Sequence, residues 1–200
     1  PYGQNQSADS TSLGAAYVIK RTNNISQPDD IIVASYIGRP HTQDDYNRNL
    51  FLLADYYGCK IGFENDRGEV IAYAKRFRKM NKLQEEFEML DKRELRSKTV
   101  KRQYGMHMTE ARKRQGEIYI RDWLNTVRSK DESGKQLLNL HKIYDPALLT
   151  ELIKFNHKGN FDRVMALMIG MYHTRELYNA EVKDILEDRA TDKWFEQNYY

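Results

Sequence analysis

A single cysteine, Cys59, leaves the chain without an internal disulfide, so no cross-linked framework holds the fold. Four prolines and 11 glycines in 200 residues exclude collagen-like, mucin-like and Gly/Ser-linker sequences. No apolar run approaches the roughly 20 residues a helix needs to cross a bilayer. The richest stretch runs only from Val164 to Tyr172, with Gly170 inside it. No P-loop pattern occurs, so ATP is not bound by that route. The chain opens on Pro1 with no initiator Met and no basic or apolar leader, and reads as a piece excised from a longer protein. An excess of one charge is lacking too: 32 basic against 29 acidic residues leave a formal net charge of +3. Any nucleic-acid footprint must therefore lie in how charge is distributed.

What is present suffices for one soluble domain, since 40% of the residues are hydrophobic. The opening residues, Pro1 to Ser12, are polar and aperiodic and read as a loop. Leu13 to Lys20 and Ile31 to Ile37 read as strands joined by a polar turn, hence an antiparallel hairpin. The near-continuous apolar character of the second strand predicts burial on both faces. Thr42 precedes Asp45 by three residues and caps a helix that carries Tyr46, Leu50, Leu53 and Tyr57 and stops at Gly58. Lys60 to Phe63 reads as a short strand running into Glu64, and a helix starts near Glu69 after a turn. Strand, helix, strand, helix is an α/β order, with the third strand expected to lie parallel to its neighbour. A strand over Arg102 to Met108, a helix from Thr109 to about Val127, a turn at Lys130 to Gly134, a helix over Pro146 to Phe155 and an apolar helix over Asn160 to Tyr178 complete the pattern. The expected division is a domain over 1–180 and a helical tail over 181–200.

Two acids stand out by position. Glu64 falls where an apolar strand meets a turn, the place where α/β sheets present functional side chains. It reads equally as a solvated strand-end carboxylate or a partner for Arg67. Asp162 opens an apolar helix, where an acid complements the helix dipole and needs no further role. His157 nearby is either a metal-holding or proton-moving side chain or a surface loop histidine. Cys59 reads as a structural thiol. Between Lys75 and Arg102 lie 11 basic residues against five acids, in two basic blocks around an acidic one. Such blocks suit a DNA backbone, which Lys and Arg contact without reading sequence, or else form a solvated helix face.

The stretches DSTSLGAAYV, DIIVASYIGRPHTQDDYNRNLFLLADYYGCKIGFENDRGEVIAY and LLTELIKFNHKGNFDRVMALMIGM resemble the nuclease domain of large terminase subunits of tailed bacteriophages. The resemblance spans roughly residues 9 to 172 and implies a ribonuclease H-like fold, a mixed sheet flanked by helices. It implies a metal-dependent endonuclease that cuts double-stranded DNA during genome packaging, with two Mg²⁺ or Mn²⁺ ions held by carboxylates. The motif FENDRG puts one catalytic and metal-ligating acid at Glu64, and ELIKFNHKGNFDRV puts another at Asp162. Phe161 stands where many of these nucleases carry a second acid. Asp9 matches an accessory acid of the opening loop. The first catalytic Asp of such domains ends a central strand, and Pro1-Tyr2-Gly3 resembles the residues just after that Asp. That strand and its Asp are therefore expected just before Pro1, and the chain is expected to bind metal weakly and fold poorly without them. Lys75, Arg76, Arg78 and Lys79, after the helix that succeeds Glu64, become candidate DNA contacts, with Arg112, Lys113 and Arg114 as a second group. Implied partners are an upstream ATPase domain of the same subunit, a portal and a small terminase subunit, in the host bacterial cytoplasm and away from membranes. Other readings of the same residues are a resolvase or transposase core, or a DNA-binding or motor-assembly module without catalysis.

Overall fold

The computed structural model describes residues 13–20, 30–65, 68–85, 104–156 and 159–175. Its elements in chain order are β1 (Gly14–Lys20), β2 (Ile31–Gly38), α1 (Gln43–Tyr56), α2 (Glu69–Arg76), α3 (Glu110–Leu124), β3 (Val127–Lys130), β4 (Gln136–Leu138), α4 (Pro146–Lys154) and α5 (162–175). The protein is thus mixed α/β with two small antiparallel sheets, β1–β2 and β3–β4. Among the described residues no helix is long and apolar enough to cross a membrane.

Local chemistry sets most boundaries. The Thr42 hydroxyl accepts from the Asp45 N–H at 3.1 Å and so satisfies an orphan donor of α1. Gly58 adopts φ +63 just after that helix, a conformation that costs glycine little. Thr109 caps α3, and Asp145 caps α4 by accepting from the N–H groups of Ala147 and Leu148, ahead of Pro146.

Packing sorts the elements into layers. Tyr17 and Ile19 of β1 pack on a core built from α3, α4, α5 and Met106 and Met108. Ala16, facing the other way, packs on a second core built from α1, α2, Ile61, Phe63 and Leu83. Alternate residues of one strand therefore meet helices on opposite faces. In β2, Ile32 joins the first core and Tyr36 the second although both are even-numbered. The register shift opposite Val18 and Ile19 explains this, because one extra residue on β2 inverts the alternation. Burial of β2 on both faces is corrected: Val33 and Ser35 are exposed, because among the described residues β2 pairs only with β1. The third strand expected over Lys60 to Phe63 is corrected: the segment forms no strand, only isolated parallel bridges of Ile61 with Leu83 and of Glu64 with Met106, because its partners there are single residues next to turns and not a continuous strand. No strand forms over the described part of Arg102 to Met108: Tyr104 and Met106 make isolated bridges on either side of Gly105, whose φ of +73 bends the chain, and 102–103 lie outside the described residues. The tail 181–200 lies outside the described residues.

Candidate functional site

Glu64 and Asp162, far apart in the chain, line one cavity of about 420 Å³. Glu64 is carried by an extended segment whose Ile61 and Phe63 side chains are buried in the second core. Its backbone is held by hydrogen bonds from Met106 N–H to Phe63 O and from Asn65 N–H to Met106 O, both 2.9 Å. α1 ends in the tight turn at Gly58, and Ile61 and Phe63 of the following segment share a core with Tyr46, Leu50 and Phe51 of α1.

Asp162 is the first residue of α5 and is half-buried. Its Oδ2 accepts the Leu13 N–H at 2.7 Å and the Asn160 side-chain amide at 3.2 Å. Both donors converge on one oxygen, and Oδ1 has no partner among the described residues. Burial pushes the Asp162 carboxyl above the usual carboxylate range, against the opposing pull of the Leu13 N–H.

The start of α5 is itself anchored. Glu151 of α4 accepts from the N–H of Arg163 at 3.0 Å and from that of Val164 at 3.4 Å, and pairs with the Arg163 guanidinium at 2.7 Å. Arg163 also faces Asp145 at 3.6 Å, and the Tyr17 hydroxyl donates to Asp145 at 3.0 Å. Burial, then the Asp145 charge, drives the Tyr17 phenol far above its ordinary range, so it stays protonated. Sequence reasoning missed Leu13, Tyr17, Asp145 and Glu151. Only the start of α4 at Pro146 was read beforehand.

His173, also on α5, lines the cavity beside Gly62, where a Cβ would overlap its imidazole. Burial lowers its pKa to about 4. The unfolded chain, with a histidine of ordinary pKa, therefore binds more protons across the interval from there to about 6.5. Stability is fully present above that interval and lost as pH falls through it, by on the order of 3 kcal/mol. Asp162 acts with opposite sign, since a carboxyl raised on folding stabilises at low pH and loses that contribution as pH rises. Urea midpoints compared at neutral and mildly acid pH are expected to fall with pH in the native chain and much less in His173→Leu. Equal slopes for the two would refute the assignment.

Other predicted residues fall elsewhere. Asp9 and His157 lie outside the described residues. Cys59 is half-buried and lines the cavity, and burial pushes its thiol up, as expected of a structural cysteine. Among the described residues none of the seven basic candidates lines the cavity. Arg76 pairs with Asp44, and its guanidinium lies 4.9 Å from the Phe77 ring centroid. Lys79 pairs with Asp55 at 2.6 Å, and Lys82 joins that carboxylate at 3.0 Å. Lys75 and Arg78 are exposed. Lys113 pairs with Glu110 at 3.3 Å, and Arg114 is exposed. Arg112 is a correction to the exposed basic group: it is buried, its guanidinium donating to the His107 carbonyl. The helical period that exposes Arg114 turns Arg112 toward α5, where the Tyr172 hydroxyl donates to its carbonyl at 2.7 Å.

Among the described residues no group of three or more His, Cys, Asp or Glu side chains converges to hold a metal ion. The cavity supplies a pair of carboxylates. No family model, no curated protein and no solved structure matches this chain.

Proposed function

We propose that this protein is a ribonuclease H-like, metal-dependent endonuclease acting on double-stranded DNA, of the kind found in phage packaging motors. The observation that carries the reading is the shared cavity of Glu64 and Asp162, the two acids singled out by the FENDRG and NHKGNFDRV motifs. Helices on both faces of β1 are in keeping with such a fold.

Glu64 and Asp162 would hold Mg²⁺ or Mn²⁺, joined by the Asp that the resemblance implies before Pro1. The donor set fits a hard cation: carboxylate oxygens, one of them Oδ1 of Asp162, which has no partner among the described residues. Leu13 N–H and Asn160 fix the other oxygen and so orient the group. Burial that disfavours the bare carboxylate is offset when a cation arrives. When bound, the metal supplies activation of the attacking water and stabilisation of the leaving oxygen of a phosphodiester. Lys75, Arg78 and Arg114, exposed on other elements, would contact the DNA backbone at a distance from the acids.

Supercoiled plasmid is expected to be nicked or linearised in Mn²⁺ or Mg²⁺, and not in EDTA, by protein extended upstream of Pro1 to include the implied Asp. Absence of metal-dependent cleavage would overturn the reading. Salt-dependent DNA retention without Mn²⁺ binding would favour a non-catalytic DNA-binding or motor-assembly module, to which the exposed Lys75, Arg78 and Arg114 are equally suited. Coordinated cutting of branched DNA would favour a resolvase-like or transposase-like core.

A further inference from the structure

Three of the four exposed aromatic rings among the described residues, Tyr56, Tyr57 and Phe77, stand at the C-terminal ends of α1 and α2; the fourth is Tyr144. Tyr56 is 83% exposed, and its ring meets that of Tyr57 edge to face with centroids 5.0 Å apart. Single exposed rings are ordinary, whereas a cluster of them marks an interaction surface.

Cations are interleaved with these rings. The Arg76 guanidinium lies 4.9 Å from the Phe77 ring centroid and pairs with Asp44 at the start of α1. Lys79 and Lys82 share the Asp55 carboxylate, at 2.6 and 3.0 Å, at the end of α1 and next to Tyr56. Lys60 is exposed just past the turn at Gly58 that follows the two tyrosines. The run of α1 from Asp44 to Asp55 is about 16 Å long at about 1.5 Å per residue. Rings and cations therefore form a strip along that helix, with Arg76 and Phe77 toward its start, Lys79 and Lys82 at its end, then Tyr56, Tyr57 and Lys60.

The charge of the strip is unbalanced. Arg76, Lys79, Lys82, Lys60 and the exposed Arg78 stand against two carboxylates, those of Asp44 and Asp55. Arg48 and Asp45 on the same helix offset each other at 3.7 Å. Exposed ion pairs contribute little stability, so a phosphate can take the place of either carboxylate at small cost. A polyanion that also carries flat apolar groups satisfies both halves of the strip. A single strand of nucleic acid is such a ligand, since its phosphates meet the cations and its unpaired bases stack on the rings. A duplex answers only the cations, because its bases are already stacked on one another. An acidic peptide likewise offers charge without bases.

We propose that this strip binds a single-stranded stretch of DNA, its bases stacked on Tyr56, Tyr57 and Phe77 and its phosphates held by Arg76, Lys79, Lys82 and Lys60. Lys60 also lines the cavity that holds Glu64 and Asp162, so the strip leads the strand to the proposed nuclease site. Recognition of a single strand stands on the rings and cations alone; that the strand is DNA rests on the nuclease reading.

The test is fluorescence anisotropy of a labelled oligothymidine and of a duplex of equal length, both in EDTA so that cleavage plays no part. The double variant Tyr56→Ala/Phe77→Ala is expected to weaken oligothymidine binding by about tenfold or more and duplex binding by less than about twofold. Lys79→Gln together with Lys82→Gln is expected to weaken both ligands and to flatten the salt dependence of each. Tyr56→Trp is expected to keep the affinity, and the fluorescence it adds is expected to be quenched by oligothymidine and not by duplex. Undiminished oligothymidine binding in the ring variant, equal weakening of both ligands, or no quenching in Tyr56→Trp would overturn the proposal. Displacement of oligothymidine by polyglutamate of equal charge would overturn it in favour of an acidic protein partner, and tighter binding of oligouridine in favour of RNA. The quenching needs no loss of a side chain, so the proposal stays falsifiable even where the double variant does not fold. Ring-dependent binding by a chain that never cleaves DNA would retire the nuclease reading and leave single-strand recognition in place, and cleavage without ring-dependent binding would do the reverse.

Discussion

Glu64→Gln and Asp162→Asn are each expected to reduce metal-dependent plasmid cleavage by about 100-fold or more, equivalent to about 2.7 kcal/mol of transition-state stabilisation. Both replacements keep size and hydrogen-bonding shape while removing the charge that a divalent cation needs. An Asn at 162 still accepts the Leu13 N–H through its carbonyl oxygen, so the junction between β1 and α5 is preserved. The Glu151 anchor on the Arg163 and Val164 N–H groups is untouched as well. Loss of cleavage therefore reads on metal and not on folding, which circular dichroism and urea midpoints check directly. Binding of Mn²⁺ by calorimetry is expected to weaken in parallel with cleavage. Charge removal on the exposed Lys75 and Arg78 is expected instead to weaken DNA binding and flatten its salt dependence while leaving the metal affinity alone. Undiminished cleavage in both carboxylate variants would remove Glu64 and Asp162 from the chemistry.

Gly116→Leu is expected to destabilise the chain by about 3 kcal/mol or more. Gly116 lies in the middle of α3, where glycine costs about 1 kcal/mol relative to alanine, so its presence needs a packing reason. That reason is α5: a Cβ at 116 would overlap Met168 Cγ and Sδ and come within 3.3 Å of the Tyr172 ring. Met168 is completely buried and has nowhere to retreat. Forcing the helices apart would also break the Tyr172 hydroxyl bond to the Arg112 carbonyl and the edge-to-face contact of Tyr119 with Tyr172, whose centroids are 5.1 Å apart. Gly116→Ala is expected to fall between, because its gain in helix propensity offsets part of the overlap. Met168→Ala introduced with Gly116→Leu is expected to recover part of the loss, since it empties the volume the new side chain needs. Urea unfolding of the four proteins measures this directly, and a Gly116→Leu midpoint equal to that of the native chain would refute the close approach.

The elements legible in the sequence are those whose causes are local. Thr42, Gly58, Thr109 and Pro146 each announce a helix boundary within a few residues, and the structure has boundaries there. The turn at Lys130 to Gly134 sits between antiparallel arms as its composition foretold. Apolar periodicity was a weaker guide in β2. Its run of apolar residues read as double burial, but exposure depends on whether another strand lies alongside, which the run itself does not encode. Arg112 shows the same limit. A basic triplet at a helix start looks uniform in sequence, yet successive residues on a helix point about 100° apart, and one of the three turned inward.

At the site the division is sharper. Sequence alone determined that Glu64 ends an extended apolar segment and that Asp162 begins an apolar helix, because capping, turn chemistry and alternation act over a handful of residues. Tertiary structure decided that both acids line one cavity, that Leu13 and Asn160 hold the same oxygen of Asp162, and that Glu151 anchors the turn carrying it. These arrangements are set by contacts between segments that share no local signal. They arise only when hydrophobic burial brings distant faces together, so packing decided them and local pattern did not.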